Sequence, residues 1–428
     1  MSDRLFCYYG DDFTGSTDVL EALASNGVSA VLFLDAPDER QLADFSGCQA
    51  IGIAGESRSR DPEWMSANLP AIFRSLKSYG APICQYKVCS TFDSSPEHGN
   101  IGRALEIGQK VFGSSYVPIV VGAPHLKRYV LFGNLFAAGP GGGIYRIDRH
   151  PSMRHHPVTP MREGDLRLHL KLQTEREIAL LDILALHGDD PDARLEEVLA
   201  SHPSAVLFDG LDEVSLAVTG RLVAKRNRAA QVFAVGSGGF THALIHYWKA
   251  AGIIPPKYTP VAAASTDRLI VISGSCSPVT EGQIRWAMQN GFAHFRVNPD
   301  RGNREALLND ALAALSGGCS IVLYTALGFQ DCSSTLGGEP LGAYLGSVLR
   351  ELVLRSGVRR VLIAGGDTST HAVRQLGVHA LTFTALTAPG SPLCRCHSFE
   401  PALDGVELVL KGGQVGPENY FEMVRKGT

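Results

Sequence analysis

Two α/β domains with largely parallel sheets are predicted by three observations. A strand, a polar glycine loop and a helix open the chain, the same rhythm restarts after a proline-rich break ending at Pro260, and no repeat of fixed period competes with that reading. The 428-residue length agrees, since roughly 100–200 residues per domain makes two or three domains the default. In the first domain, residues 1–252, Leu5–Tyr9 reads as a strand and Ser16–Asn26 as a helix with Gly27 just past its end. Val28–Phe33 then reads as the second strand of a βαβ unit. The apolar runs Ala50–Ala54, Val117–Gly122, Ala205–Phe208 and Gln231–Val235 read as further buried strands, with helical patterns at Pro70–Lys77 and Leu195–Ala200 between them.

Residues 253–265 hold three prolines and no clear periodicity, which places the boundary there. The second domain, residues 266–428, begins with strand Arg268–Ser273 and helix Thr280–Asn290, which ends at Gly291. Strand Ile321–Thr325, helix Ala343–Arg355 and strand Arg360–Ala364 follow, and Gly365-Gly366-Asp367-Thr368-Ser369 opens a helix running to about Leu376. The polar stretch from Gly139 to Thr159, with His150, His155 and His156, reads as a surface excursion or lid. Its histidines have no Cys or carboxylate partner at zinc-ligand spacing.

Composition narrows the function classes. The 39 Lys+Arg and 43 Asp+Glu give a net charge of −4 and form no basic blocks, so the electrostatic footprint of a nucleic-acid binder is missing. No apolar stretch reaches the roughly 18 residues of a membrane span, and Leu5–Tyr9 runs into Asp11-Asp12 where a signal peptide stays apolar. Nine cysteines, an odd number without a C-x-x-C pair, fit reduced thiols in a cytoplasmic protein. Small molecules are the expected partners, and a homo-oligomer is left open.

The candidate chemistry lies in loops that follow strands. Gly10-Asp11-Asp12-Phe13-Thr14-Gly15 sits where the first strand meets the first helix, the carboxyl edge at which parallel sheets bind ligands. Its two carboxylates are candidates for hydroxyl or metal binding, although Asp and Thr also cap helices and one cap needs only one carboxylate. Arg58, beyond the strand ending at Ala54, is suited to grip a carboxylate with two parallel N–H bonds. Lys87-Val88-Cys89-Ser90-Thr91-Phe92-Asp93 concentrates an ammonium, hydroxyls and a carboxylate, as a polyhydroxylated anion requires. Cys89 reads as a small buried residue rather than a nucleophile.

In the second domain Gly274-Ser275-Cys276-Ser277 leads through Pro278 into a helix, presenting backbone N–H groups to an anion such as phosphate. Gly365-Gly366-Asp367-Thr368-Ser369 repeats this with paired glycines, and Lys411-Gly412-Gly413-Gln414-Val415-Gly416 adds a third such segment. Together they point to a nucleotide phosphate site. Neither G-x-x-x-x-G-K-[ST] nor G-x-G-x-x-G occurs, which sets aside P-loop enzymes and dinucleotide-dependent dehydrogenases.

Five motifs in order along nearly the whole chain resemble the four-carbon acid sugar kinases: Gly10–Gly15, Gly236-Ser237-Gly238-Gly239, Gly274–Thr280, Gly365–Ser369 and Lys411–Gly416. The resemblance implies an N-terminal domain that holds an acid sugar such as threonate, erythronate or an oxo-tetronate. It implies a C-terminal domain that holds ATP with Mg²⁺, and a ligand cleft between the two. Carried over residue by residue, the acid-sugar site falls on Asp11, Asp12, Arg58, Lys87, Ser90 and Thr91. The nucleotide site falls on Ser275, Gly365, Gly366, Asp367, Thr368 and Gly413. Family members read Lys-x-Asp-Ser-Thr-x-Arg-Gly-Asn where this chain has Cys89 in place of the carboxylate, lacks the Arg, and reaches Gly99-Asn100 only after the extra residues Asp93–His98. That altered loop resembles a branch acting on 3-oxo-isoapionate.

Phosphoryl transfer asks mainly for alignment and charge neutralisation. The expected mechanism has Asp12 orienting or accepting the proton of the attacking hydroxyl and Asp367 holding Mg²⁺ through water. Lys87 neutralises developing charge and Arg58 anchors the substrate carboxylate. A non-catalytic regulatory protein binding nucleotide or sugar acid is the alternative.

Overall fold

The run Phe6–Gly10 is wholly buried and forms a central strand, β1, paired in parallel with a neighbour on each side. The computed structural model describes residues 4–156, 158–226, 231–299, 303–331 and 338–428. Its contacts divide into two units: Met1–Ser29 with Ala43–Tyr258, and Ala30–Leu42 with Thr259–Thr428. Both are α/β, with largely parallel sheets.

In the first unit α1 (Phe13–Ala24) follows β1, and the chain then leaves for the second unit as β2 (Ala30–Phe33). After α2 (Glu39–Asp44) it resumes with β3 (Ala50–Ala54), α3 (Pro62–Ser78), β4 (Ile83–Lys87), α4 (Ile101–Phe112) and β5 (Val117–Val120). A three-stranded antiparallel flap, β6 (Arg128–Leu131), β7 (Asn134–Ala138) and β8 (Ile144–Arg146), comes next. Then come α5 (Leu166–Lys171), β9 (Ile178–Leu181), α6 (Ile183–His187), α7 (Pro191–Leu199), β10 (Ala205–Phe208), α8 (Glu213–Lys225), β11 (Val232–Gly236) and α9 (Gly238–Ala250).

The strand order of this unit is β3-β1-β4-β11-β5-β10-β9, parallel throughout. From β1 the chain moves toward β3, and from β4 it moves the other way toward β5. The crevice beyond Gly10 and Lys87, which pair in register, is therefore a topological switch point.

The second unit runs β12 (Ile270–Ser273), α10 (Pro278–Gln289), β13 (Ala293–Arg296), α11 (Arg304–Ser316), β14 (Ile321–Tyr324), α12 (Gly338–Ser356), β15 (Arg360–Ala364) and α13 (Gly366–Gln375). It closes with β16 (Ala380–Ala388), β17 (Ser391–His397), β18 (Glu407–Lys411) and α14 (Tyr420–Lys426). Its order is β13-β14-β12-β15-β18-β17-β16-β2, parallel as far as β18 and antiparallel beyond. Here the switch point falls between β12 and β15, where Ser273 pairs with Ala364.

Several expectations need correction. Val28–Phe33 does not complete a local βαβ unit; its strand is an antiparallel partner of β16, Ala380 lying opposite Phe33. Helix α3 begins at Pro62, capped by Asp61, and Pro70 lies inside it; α7 likewise begins at Pro191, capped by Asp190. In both cases the helix starts at a proline in its first turn that follows an Asp cap. The stretch expected as a surface excursion or lid forms a tight turn at Pro140–Gly142 between β7 and β8, with Ile144 and Tyr145 exposed, followed by single turns at Ile147–Arg149 and Met153–His155. Among the described residues seven cysteines are free and Cys276 is disulfide-bonded, which departs from the expectation of reduced thiols throughout.

Candidate functional site

At the switch point of the first unit, the backbone itself draws three loops together. Asp11 N–H donates to Lys87 C=O at 2.9 Å, Arg58 N–H donates to Asp11 C=O at 3.1 Å, and Val88 N–H donates to Gly236 C=O at 2.9 Å. The carboxyl ends of β1, β3, β4 and β11 therefore bring Asp11, Asp12, Arg58 and Lys87 together, with Ser90 and Thr91 on the loop that continues from β4.

The two adjacent aspartates have different surroundings. Asp12 caps α1: its Oδ1 accepts the Gly15 N–H at 2.6 Å, while Oδ2 accepts from Thr14 Oγ1 at 3.2 Å and from Arg58 at 3.1 Å. Both of its oxygens therefore already have partners. Asp11 is buried, only 4% exposed, and its Oδ1 finds no hydrogen-bond partner among the described residues. Burial, with the neighbouring Asp12 charge adding to it, pushes the Asp11 carboxyl up to about 7.

In the sequence Asp93 is one polar group among several in its segment, with nothing local to give it a role. The Asp93 side chain is fully buried, ion-pairs with Arg58 and accepts a hydrogen bond from Thr91 Oγ1. Burial raises its pKa, but Arg58 and the Thr91 hydroxyl more than offset this and hold the carboxyl at about 2. Arg58 is thus gripped on two sides by carboxylates, through different guanidinium nitrogens. The signal was present as an acidic residue at the start of the extra segment Asp93–His98, but its fold-back toward Arg58 depends on the loop. Phe92 takes a positive φ of 56°, and Ser94 Oγ lies 2.9 Å from His169 Nε2 of α5. Cys89 Sγ lies 2.9 Å from Thr91 Oγ1, and burial pushes its thiol up, away from a nucleophilic thiolate.

Asp18 and a histidine pair also escaped the sequence. Lys87, 4% exposed, lies 3.6 Å from Asp18 Oδ2, and this charge with Asp12 and Asp11 outweighs burial and keeps the ammonium protonated. Gly15 matters here: a Cβ at that position would stand 2.5 Å from Asp12 Oδ1 and 3.0 Å from Lys87 Nζ. The rings of His125 and His242 are tilted by 44° with their centroids 4.0 Å apart, and burial lowers the pKa of both. His150 and His156 serve their own turns, accepting from the N–H groups of Ser152, Met153 and Thr159.

In the second unit the three glycine segments converge at the other switch point. Gly274 N–H donates to Ala364 C=O at 3.2 Å and Gly365 N–H to Lys411 C=O at 2.8 Å. A Cβ on Gly274 would lie 2.3 Å from Thr368 Oγ1, and one on Gly413 would lie 3.0 Å from Ser275 Oγ. Ser275, Gly365, Gly366, Thr368 and Gly413 are therefore neighbours. Asp367 lies in the first turn of α13, and its side chain falls outside the described residues. The N-cap position of α13 is Gly365, which has no side chain to cap the helix, so its first N–H groups are available to an anion.

In the sequence Lys411 stands out only as the first residue of a glycine motif, yet it ties this site together. Its buried ammonium donates to Thr280 Oγ1 at 3.0 Å, Gly412 C=O at 2.9 Å and Gly413 C=O at 3.4 Å, and burial lowers its pKa to about 8. Gln283 adds bonds to the carbonyls of Val415, Gly416 and Pro417.

Residues 6–244 match a sugar-binding N-terminal domain, and residues 270–421 match a nucleotide-binding C-terminal domain. A 3-oxo-isoapionate kinase of Paraburkholderia graminis is 45% identical over 99% of this chain and 94% of its own length. A 3-oxo-tetronate kinase of Cupriavidus necator is 28% identical over 96% of this chain and 94% of its own. Solved structures from Salmonella typhimurium LT2 and Haemophilus influenzae share the fold, with TM-scores of 0.78 and 0.73 at 24% and 23% identity. They cover 99% and 98% of this chain, and 100% and 99% of their own. No helix among the described residues is long and apolar enough to cross a membrane.

Proposed function

The chain belongs to the acid sugar kinases that join a sugar-binding N-terminal domain to a nucleotide-binding C-terminal domain, and from that membership we propose that its acceptor is a branched 3-oxo acid sugar of the 3-oxo-isoapionate type. The activity is ATP-dependent phosphorylation of a hydroxyl on a small acid sugar, and the regulatory alternative is not favoured. The observation that carries the choice of acceptor is the 45% identity to a 3-oxo-isoapionate kinase over nearly the whole chain. The rebuilt loop around Cys89 and Asp93 supports it, because that loop borders Arg58.

In this reading the first unit holds the sugar acid. Arg58, fixed by Asp12 and Asp93, directs its remaining N–H groups at the substrate carboxylate, and Ser90 and Thr91 meet hydroxyls. Lys87 offsets the negative charge that accumulates during transfer. The second unit holds ATP on the N–H groups of Gly365, Gly366 and Thr368, beside Ser275 and Gly413.

Magnesium bound to ATP would neutralise charge on the phosphate oxygens. Among the described residues no group of three or more His, Cys, Asp or Glu is arranged to hold a metal. This suits an ion that arrives on the nucleotide and keeps several waters. Asp367 is the residue proposed to hold it through water.

The test is substrate-dependent ADP release from ATP·Mg²⁺ with 3-oxo-isoapionate, 3-oxo-tetronate, threonate and erythronate. The highest kcat/KM is expected for 3-oxo-isoapionate; a preference for a linear four-carbon acid would overturn the acceptor assignment. The nucleotide site has its own check in Gly365→Ala. Gly365 has a φ of +114°, a region L-residues rarely adopt, and an added Cβ would press on Thr368 Oγ1 at 3.0 Å and Ser275 N at 3.3 Å. Strain of this kind costs about 1–3 kcal/mol, so ATP affinity measured by calorimetry should fall by roughly tenfold or more. Unchanged affinity would remove Gly365 from the site.

A further inference from the structure

We propose that Asp11, rather than Asp12, is the general base that takes the proton from the attacking hydroxyl. The assignment rests on the kinase reading above and deepens it.

Spacing alone does not separate the two carboxylates, but their surroundings do. Asp12 spends one oxygen on the α1 N-terminus and the other on Thr14 and Arg58, so accepting a further proton would break contacts that shape the loop. Asp11 has a buried oxygen, Oδ1, with no partner among the described residues. A buried, unmet acceptor in a native protein calls for an explanation, and a donor brought by a ligand is one. Its position supplies the second part of the argument. Asp11 directly follows β1 at the switch point, its backbone held from both sides by Lys87 and Arg58, so the side chain is placed by the sheet rather than by a free loop.

The groups around Asp11 set its proton affinity. Tyr9 and Asp12 flank it on its own segment, Arg58 comes from the turn after β3, Tyr86 and Lys87 from β4, and Asp93 from the loop beyond. Burial and the carboxylates Asp12 and Asp93 raise its pKa, while Arg58 and Lys87 lower it, leaving a carboxyl that titrates at about 7. A base with that proton affinity is strong enough to draw a hydroxyl proton, is about half unprotonated at pH 7 and is largely so at mildly alkaline pH.

In the step itself the hydroxyl proton moves to Asp11 Oδ1 while the hydroxyl oxygen forms its bond to the γ-phosphorus. The bond from that phosphorus to the bridging oxygen breaks, and ADP leaves with the electron pair. Asp11 then releases the proton to water.

The experiment compares wild type, Asp11→Asn and Asp12→Asn by ADP release from ATP·Mg²⁺ with 3-oxo-isoapionate and 3-oxo-tetronate between pH 5 and 9, with acid-sugar binding followed by calorimetry. Wild-type kcat should climb with pH and level off above about 7. Asp11→Asn should lose about 10²–10⁴-fold in kcat. Its acid-sugar affinity should stay within a few fold, and the pH limb should vanish. Asp12→Asn should retain the limb whatever its rate. Asp11→Ala should regain part of its kcat when formate is added, which a purely structural role would not produce.

Folding is checked by thermal midpoints. The folded pKa of Asp11 is raised from 3.8 to about 7, so the native state holds a proton that the unfolded chain releases, and wild type loses stability as pH rises through that window. Asp11→Asn should lack that loss. An Asp11→Asn enzyme within tenfold of wild-type kcat, or one that keeps the limb, overturns the assignment while leaving the kinase reading intact. No ADP release by wild type with either acid withdraws the reading and the base together.

Discussion

Replacing Arg58 with alanine is expected to lower kcat/KM for the acid sugar by about a thousandfold, the consequence of roughly 4 kcal/mol lost when one member of a buried charged pair is removed. The effect has two sources. The substrate carboxylate loses its anchor, and Asp93, whose side chain has no solvent exposure, keeps its charge without its cation. Breaking a buried pair in this way destabilises by about 3–5 kcal/mol; the lower end applies because the Arg58 side chain retains 29% exposure. Asp93 is held at about 2 in the folded protein, so its contribution is present above the ordinary carboxylate range and fades as pH falls toward 2. In Arg58→Ala that contribution should be missing at neutral pH, and thermal midpoints across pH will show it. Arg58→Lys should recover little, since one ammonium cannot reach Asp12 and Asp93 through separate nitrogens. The double variant Arg58→Ala/Asp93→Ala should regain stability without activity. Arg58→Ala with kcat/KM within tenfold of wild type would rule out the anchor.

Gly220→Ala is expected to destabilise the first unit, against what helix propensity suggests. Gly220 lies in the interior of α8, where Ala is favoured over Gly by about 1 kcal/mol. The added methyl would stand 1.9 Å from the carbonyl oxygen of Ala243 in α9, a backbone atom that cannot rotate away. The two helices would have to part, and overpacking of this kind costs about 1–3 kcal/mol or more. With backbone against backbone the upper part of that range applies, leaving a net loss of about 2 kcal/mol. For a unit of this size that lowers the midpoint by about 4–8 °C. A midpoint at or above wild type in calorimetry would show that α8 and α9 can separate without penalty.

How far the sequence reaches is clear from particular residues. The buried run Phe6–Gly10 followed by Asp11-Asp12 is a local pattern, and it marked both the strand and the candidate site at its end. The glycine segments around Ser275, Gly365 and Gly413 were found in the same way, because close backbone approach leaves a mark in composition. Asp93 received no role, since the contact that gives it one is made by a loop folding back onto Arg58. Lys411 and Asp18 are similar cases, each defined by partners distant in sequence. Strand β2 was located, but its neighbours were misjudged, because four apolar residues in a row look the same beside a parallel or an antiparallel partner.

That misjudged strand bears on how the protein is made. Ala30–Phe33 emerges from the ribosome early, whereas its partner Ala380–Ala388 is among the last strands translated. The second sheet cannot be completed until synthesis is nearly over. A fragment that starts at Thr259 would lack the strand altogether, leaving the backbone donors and acceptors of β16 open to other chains. The nucleotide-binding half is therefore poorly suited to separate expression, and an insoluble fragment would reflect its missing edge strand rather than a defect in its phosphate loops.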